Sequence, residues 1–99
     1  MVYKHIENGH ELYDEINNTQ INLIKVYSNT CAPCETYSPQ YKQMSERYPT
    51  VNFLDMNMRS NLVRVSAVPT TLIIKEGVIV EKVLGGDIGE LEGKLRSFL

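Results

Sequence analysis

The spacing of apolar and polar positions changes period several times along the chain, and each change marks an element. Leu12 and Ile16 stand four apart with Tyr13 beside them. This puts an apolar face on a helix over 7–18, ended by the Asn17-Asn18 pair. From Ile21 to Ser28 the run is nearly continuous, with Asn22 and Lys25 as its interruptions, which suits a central strand covered on both faces. Leu23, Lys25 and Tyr27 share one face of that strand, and Ile24 and Val26 the other. The period then becomes helical. Tyr37, Tyr41, Met44 and Tyr48 fall on a single stripe of a helix running from Cys34 to near Arg47. The stripe reads as core packing. Pro39 removes one helical N–H bond and predicts a kink, and Pro49 predicts the stop.

Val51 to Asn57 reads as the next strand, followed by a short helix from Ser60 to Val65. Thr70 to Glu76 and Val78 to Leu84 are two strands around Gly77, a hairpin signature. Asp87 with Glu90 three residues on forms a capping box for a last helix, whose buried face is Ile88, Leu91, Leu95 and Phe98. Gly93 inside that helix costs about 1 kcal/mol relative to alanine. Val2 to Ile6 is the candidate first strand. A strand–helix–strand unit demands a right-handed crossover and a parallel pair, and the hairpin adds antiparallel strands. The expected architecture is an α/β domain over 1–99, a central mixed sheet with helices on both faces.

Composition narrows the classes of function. Of 99 residues, 42% are hydrophobic and 22% charged, with a net charge of −2. No basic stripe points to nucleic acid or to an anionic membrane, and the apolar runs are too short to span a bilayer. The start Met1-Val2-Tyr3-Lys4-His5 contains no apolar secretory core. The chain is therefore expected to be cytoplasmic and monomeric.

The chemistry lies in Cys31-Ala32-Pro33-Cys34, which holds both cysteines of the chain. Two thiols three positions apart can close a small disulfide across one helical turn. A sulfur at a helix start faces unpaired N–H groups and the positive end of the helix dipole, which favours thiolate, the nucleophile of disulfide exchange. A purely structural disulfide here would close a very short loop and stabilise little. A zinc site would want four ligands, but there is no second cysteine pair. His5 and His10 lie far upstream, so no metal is expected. The motif reads as a dithiol–disulfide redox centre.

With these elements in order, the chain resembles a thioredoxin over nearly its whole length. Thr30-Cys31-Ala32-Pro33-Cys34 matches the family's Trp-Cys-Gly-Pro-Cys, and Pro39 matches its kinking proline. Val68-Pro69-Thr70 matches an Ile-Pro-Thr segment, Lys75-Glu76-Gly77 a Lys-x-Gly turn, and Gly85 a glycine after the last strand. The resemblance implies that Cys31 is the exposed nucleophile and Cys34 a more buried resolving thiol. It implies a cis Pro69 facing the disulfide, with Val68 offering its backbone to an extended substrate. Thr30, Ala32, Pro33 and Gly85 would complete that surface.

Four departures qualify the match. Thr30 stands where the family has tryptophan, Ala32 replaces glycine, and Glu35 follows the second cysteine where a basic residue is common. Lys25 occupies the place of a buried aspartate thought to move protons for the resolving thiol. The family's lysine on the third strand aligns with Phe53. Two fates are open for Lys25. Its stem packs while the ammonium reaches water, the expected outcome for an unpaired charge. Alternatively, a partly desolvated ammonium lies near the thiols, favours thiolate and relays protons to Cys34.

The expected function is thiol–disulfide oxidoreduction: reduction of protein disulfides through Cys31 and Cys34. No flavin or nicotinamide motif occurs, so no cofactor is expected and a thioredoxin reductase or equivalent must return the electrons. Two rival readings are a glutaredoxin-like electron donor and a non-enzymatic binding subunit. The stretch before Cys31 and the Ala-Pro pair fit thioredoxin better than the first.

Overall fold

The computed structural model describes residues 2–17 and 20–99. Asn18, the last residue of the expected first helix, lies outside them. The elements are β1 (Val2–His5), α1 (Gly9–Ile16), β2 (Ile21–Tyr27), α2 (Ala32–Arg47), β3 (Asn52–Asn57), β4 (Thr70–Lys75), β5 (Val78–Leu84) and α3 (Ile88–Arg96). The strands form one sheet in the order β1-β3-β2-β4-β5. β1, β3 and β2 run parallel, while β4 and β5 are antiparallel additions. This is the mixed α/β sheet that the sequence predicts.

Strand alternation sorts the core into two layers. Leu23, Phe53, Ile73 and Val83 point to one face, where they meet Tyr37, Tyr41 and Met44 of α2 and Leu91 and Leu95 of α3. Ile24, Val26, Leu54, Met56, Leu72 and Ile74 point to the other, under Leu12 and Ile16 of α1 and the segment holding Leu62, Val63 and Val65. A strand buried on both faces cannot alternate apolar with polar, which is why the β2 sequence is a nearly unbroken apolar run. The β4–β5 hairpin turns on Glu76 (φ 53°) and Gly77 (φ 80°), two successive left-handed residues of the kind that match strand twist.

Local chemistry shifts two expected helices. α1 begins at Gly9, two residues later than expected, because the Asn8 side chain accepts the Glu11 N–H at 2.9 Å and fixes the cap there. The helix expected over Ser60–Val65 is instead one 3-10 turn, Met58–Ser60. Asn57 Oδ1 accepts the Arg59 N–H at 3.0 Å and starts that turn early, and Asn61, at φ 58°, ends it. Beyond it the chain follows the sheet surface, so Leu62, Val63 and Val65 pack without helical hydrogen bonds.

Candidate redox-active site

β2 delivers the chain to the motif. After Tyr27 it loops through Ser28 to Thr30 and reaches Cys31 in extended conformation, φ −134° and ψ 98°. Cys31 is the N-cap of α2. Its Sγ accepts the backbone N–H of Cys34 at 3.2 Å, taking the role a serine or aspartate oxygen plays at other helix starts. Pro33 lies in the first turn, where the missing N–H has no intrahelical partner to lose. Cys31 and Cys34 are joined by a disulfide, S–S 2.05 Å, with Cα atoms 5.2 Å apart. The expected contrast in burial is small: Cys31 is 9% exposed and Cys34 5%. Closure of the bond folds the Cys31 sulfur back onto its own helix, so it is sheltered in this oxidised state.

Two further loops converge on the motif. The Val68–Pro69 peptide is cis, as expected, with Pro69 buried and Val68 half-buried. The carbonyl of Pro69 accepts the N–H of Gly85 at 2.8 Å, and Gly85 itself is at φ +91°, a conformation natural only to glycine. The adjacent Gly86 comes so close to the helix start that a Cβ there would lie 3.7 Å from the Pro33 carbonyl. Pro33 in the first turn of α2, Pro69 before β4 and Gly85 after β5 are thus brought together, with Thr30 and Ala32 exposed beside Pro33 in the chain.

The expected water-facing Lys25 is overturned: the residue is only 2% exposed. Its position on the α2 face of β2 puts its stem among the core residues, and the ammonium finds partners there. Nζ donates to Ser38 Oγ at 2.8 Å and to the Tyr3 hydroxyl at 3.4 Å. It also lies 5.2 Å from the Tyr41 ring centre and 5.6 Å from that of Tyr27, which supply cation–π attraction. Ser38 stands four residues after Cys34, on the same helix face.

The alignment of Phe53 across from the lysine is also corrected. Phe53 pairs in register with Leu23 and packs on Tyr41, whereas the residue opposite Lys25 is Asp55. The signs expected for the family at this pair of positions are therefore exchanged rather than lost. Asp55 takes a 2.6 Å hydrogen bond from the Tyr3 hydroxyl at one oxygen and lies 2.6 Å from His5 Nδ1 at the other. Sequence reasoning missed Asp55, Tyr3 and His5. The available signal was a carboxylate inside the apolar β3 run, and two polar-tipped residues two apart on β1, hence on one face.

Burial pushes the Lys25 amine below its ordinary value of 10.5, while the charge of Asp55 pulls it back up. The unfolded chain therefore binds more protons between the lowered value and 10.5, and stability rises with pH across that window. Below the window the cost of burying the ammonium is fully present. The tyrosines act with the opposite sign. Burial raises the Tyr3 and Tyr37 phenols, Tyr37 to about 12, so folding opposes their ionisation and stability falls where free tyrosine would ionise. Comparison with Lys25→Met isolates the lysine. Wild-type should gain stability relative to the variant as pH climbs from neutral towards 10.5, measured by urea denaturation across a pH series. A difference that stays flat with pH would show that burial does not perturb Lys25.

A reversible bond between two cysteines, held at a helix start with a buried ionic group behind it, is the working part of a thiol–disulfide oxidoreductase, and fold and site together define that class. The thioredoxin family model matches residues 4–97, and the chain belongs to the thioredoxin family. It is 32% identical over 82 residues to thioredoxin-1 of Saccharomyces cerevisiae, covering 78% of this chain and 80% of that protein. It is 30% identical over 95 residues to thioredoxin H10 of Arabidopsis thaliana, 90% of this chain but 62% of that longer protein. In fold it is similar to Plasmodium falciparum thioredoxin, with TM-score 0.90 at 19% identity, covering 97% of this chain and 99% of the other.

Proposed function

We propose that the protein reduces disulfide bonds in other proteins, with Cys31 as the attacking thiolate and Cys34 as the resolving thiol. Thr30, Ala32, Pro33, Val68, Pro69 and Gly85 form the surface on which the substrate lies. A thioredoxin reductase or an equivalent donor restores the dithiol. The observation that carries the reading is the cap geometry. The Cys31 sulfur already receives the Cys34 N–H at 3.2 Å, and a thiolate there would keep that bond and gain the favourable end of the α2 dipole. Cys34 lies one turn inward, within bonding distance of Cys31 and less exposed to competing reagents.

The test is insulin reduction driven by dithiothreitol, together with capture of partners by Cys34→Ser. The expected result is catalysed insulin precipitation by wild-type, and disulfide-linked partners on the variant that a reductant releases. Failure of wild-type to exceed the dithiothreitol background would refute the reading. Retained partner function in a Cys31→Ser, Cys34→Ser double variant would favour a binding subunit instead.

A further inference from the structure

We propose that the groove between the Arg64–Ser66 segment and β5 selects the partner: it takes an acidic, apolar stretch of the disulfide-bearing protein, close to the cysteine that Cys31 attacks. The proposal rests on the reading of Cys31 and Cys34 as a dithiol reductant of proteins.

The groove has a volume of about 330 Å³, at the lower end of ligand-sized pockets. Arg64, Val65 and Ser66 form one wall, and Thr70, Lys82 and Leu84 the other. Strand alternation builds the second wall. Lys82 and Leu84 stand two apart on β5 and share a face, while Val83 between them turns into the core under α2 and α3. Leu84 pairs with Thr70 and Lys82 with Leu72. Leu72 belongs to the core layer under α1, and Val65 packs on that same layer, so the groove lies on the α1 side of the sheet. The Thr70 hydroxyl donates to the Ala67 carbonyl at 2.6 Å, which fixes the bend that joins the two walls.

Its place in the fold joins the groove to the docking surface. Thr70 follows Pro69 in the chain and Leu84 precedes Gly85. The bond from the Gly85 N–H to the Pro69 carbonyl, 2.8 Å long, holds these two strand ends together. A segment laid across Val68 and Gly85 therefore continues into the groove. There it meets Leu84, an apolar side chain that is 54% exposed.

Charge decides what kind of segment fits. Arg64 and Lys82 are both exposed, and among the described residues no carboxylate lines the groove with them. Neither has an ion-pair partner among those residues, whereas Lys4, Arg47 and Lys94 each hold a glutamate. Glu81, next to Lys82 in the chain, faces the opposite side of the sheet and lies 3.5 Å from Lys94 Nζ. Two cations beside an apolar floor complement a carboxylate beside an apolar side chain, and an arginine fork can hold that carboxylate through two bonds. Two charges fall short of the extended basic track that nucleic acid needs. Edge pairing with a second copy is opposed by β5 itself. Its register with β4 slips between Ile73 and Ile74 and leaves Val80 unpaired, and such a bulge blunts an edge strand.

Synthetic peptides closed by a disulfide test the selection. Two are identical except that one carries Glu-Leu and the other Lys-Leu beside a cysteine; a third carries Glu-Ser. Second-order rate constants for reduction by the dithiol protein are read from acid-quenched samples resolved by chromatography. The Glu-Leu peptide should react about fivefold to tenfold faster than the Lys-Leu peptide, and the ratio should shrink as ionic strength rises. In the Arg64→Glu, Lys82→Glu double variant the ratio should invert. In Arg64→Ala, Lys82→Ala it should fall towards one. A general loss of structure would lower both rates together, so the inversion isolates the two charges. Leu84→Ser should shrink the advantage of Glu-Leu over Glu-Ser. Equal wild-type rates on Glu-Leu and Lys-Leu, or a ratio that charge reversal leaves intact, would overturn the proposal. So would a wild-type dimer in sedimentation that the charge reversal dissociates, which would give the groove to a second copy. Failure of wild-type to reduce any of the peptides above background would refute the dithiol reading beneath it, and the proposal with it.

Discussion

Cys31→Ser is expected to eliminate catalysed disulfide reduction while leaving a folded protein. The hydroxyl is too weak an acid to act as the nucleophile at neutral pH, and oxygen forms no stable mixed disulfide, so the first step of exchange has no substitute. The fold should tolerate the change because serine is among the best N-caps, and its oxygen can take the Cys34 N–H that Sγ now accepts. Loss of the bond between residues three apart removes only a short loop closure, on the order of 2 kcal/mol by the chain-entropy relation. Activity and stability should therefore separate: insulin reduction falls to the uncatalysed background while the variant still unfolds in one cooperative transition. Cys34→Ser should behave differently, being rapidly alkylated at Cys31 by iodoacetamide when reduced and stalling as a mixed disulfide with substrate. Residual insulin turnover by Cys31→Ser would transfer the nucleophile's role to Cys34 and sink the assignment.

The parts of this molecule that were legible in its sequence are those set by local rules. β5 follows from a β-rich run after a glycine and stands at Val78–Leu84 as the pattern puts it, whereas Glu76, read as the end of the preceding strand, joins Gly77 in the turn. The α2 stripe holds because its 3.6-residue period is the helix's own, and Tyr37, Tyr41 and Met44 are fully buried. The segment after β3 was misread because Leu62, Val63 and Val65 give apolar content without a period. The deciding contact, Asn57 on the Arg59 N–H, comes from a side chain that reads equally well as a strand end. The ionic group behind the disulfide was least legible. Asp55 has no partner within its own element. Its hydrogen-bonding neighbours Tyr3 and His5 lie 52 and 50 residues away, and only the parallel register of β1 and β3 brings them together. The rule that a charge is rarely buried unpaired was sound for Lys25. What the sequence hid was that the pairing is shared among a hydroxyl, a phenol, two rings and a carboxylate across the strand.

Tyr41 ties that ionic group to the core, and Tyr41→Ala is expected to cost about 3–5 kcal/mol, a large share of the ~5–15 kcal/mol that holds a domain together. The side chain is fully buried. Its ring meets those of Tyr3 at 5.9 Å, Tyr37 at 6.0 Å and Phe53 at 5.2 Å, and its hydroxyl donates to the Leu54 carbonyl at 2.8 Å. Truncation would leave a cavity between α2 and the sheet, and α2 is the helix that carries the cysteines. It would also remove the ring face 5.2 Å from the Lys25 ammonium, leaving that charge with less compensation in a dry site. Tyr41→Phe separates these effects. It keeps the ring stack and the cation–π face and removes only the hydroxyl, so its cost should be about 1–2 kcal/mol for the lost bond to Leu54. Urea denaturation of the two variants measures both costs. The lysine contribution can be read from whether the pH dependence of stability assigned to Lys25 survives in Tyr41→Phe and changes in Tyr41→Ala. Equal costs for the two variants would mean that the hydroxyl, not the ring, holds α2 to the sheet, and the packing argument for this helix would fail.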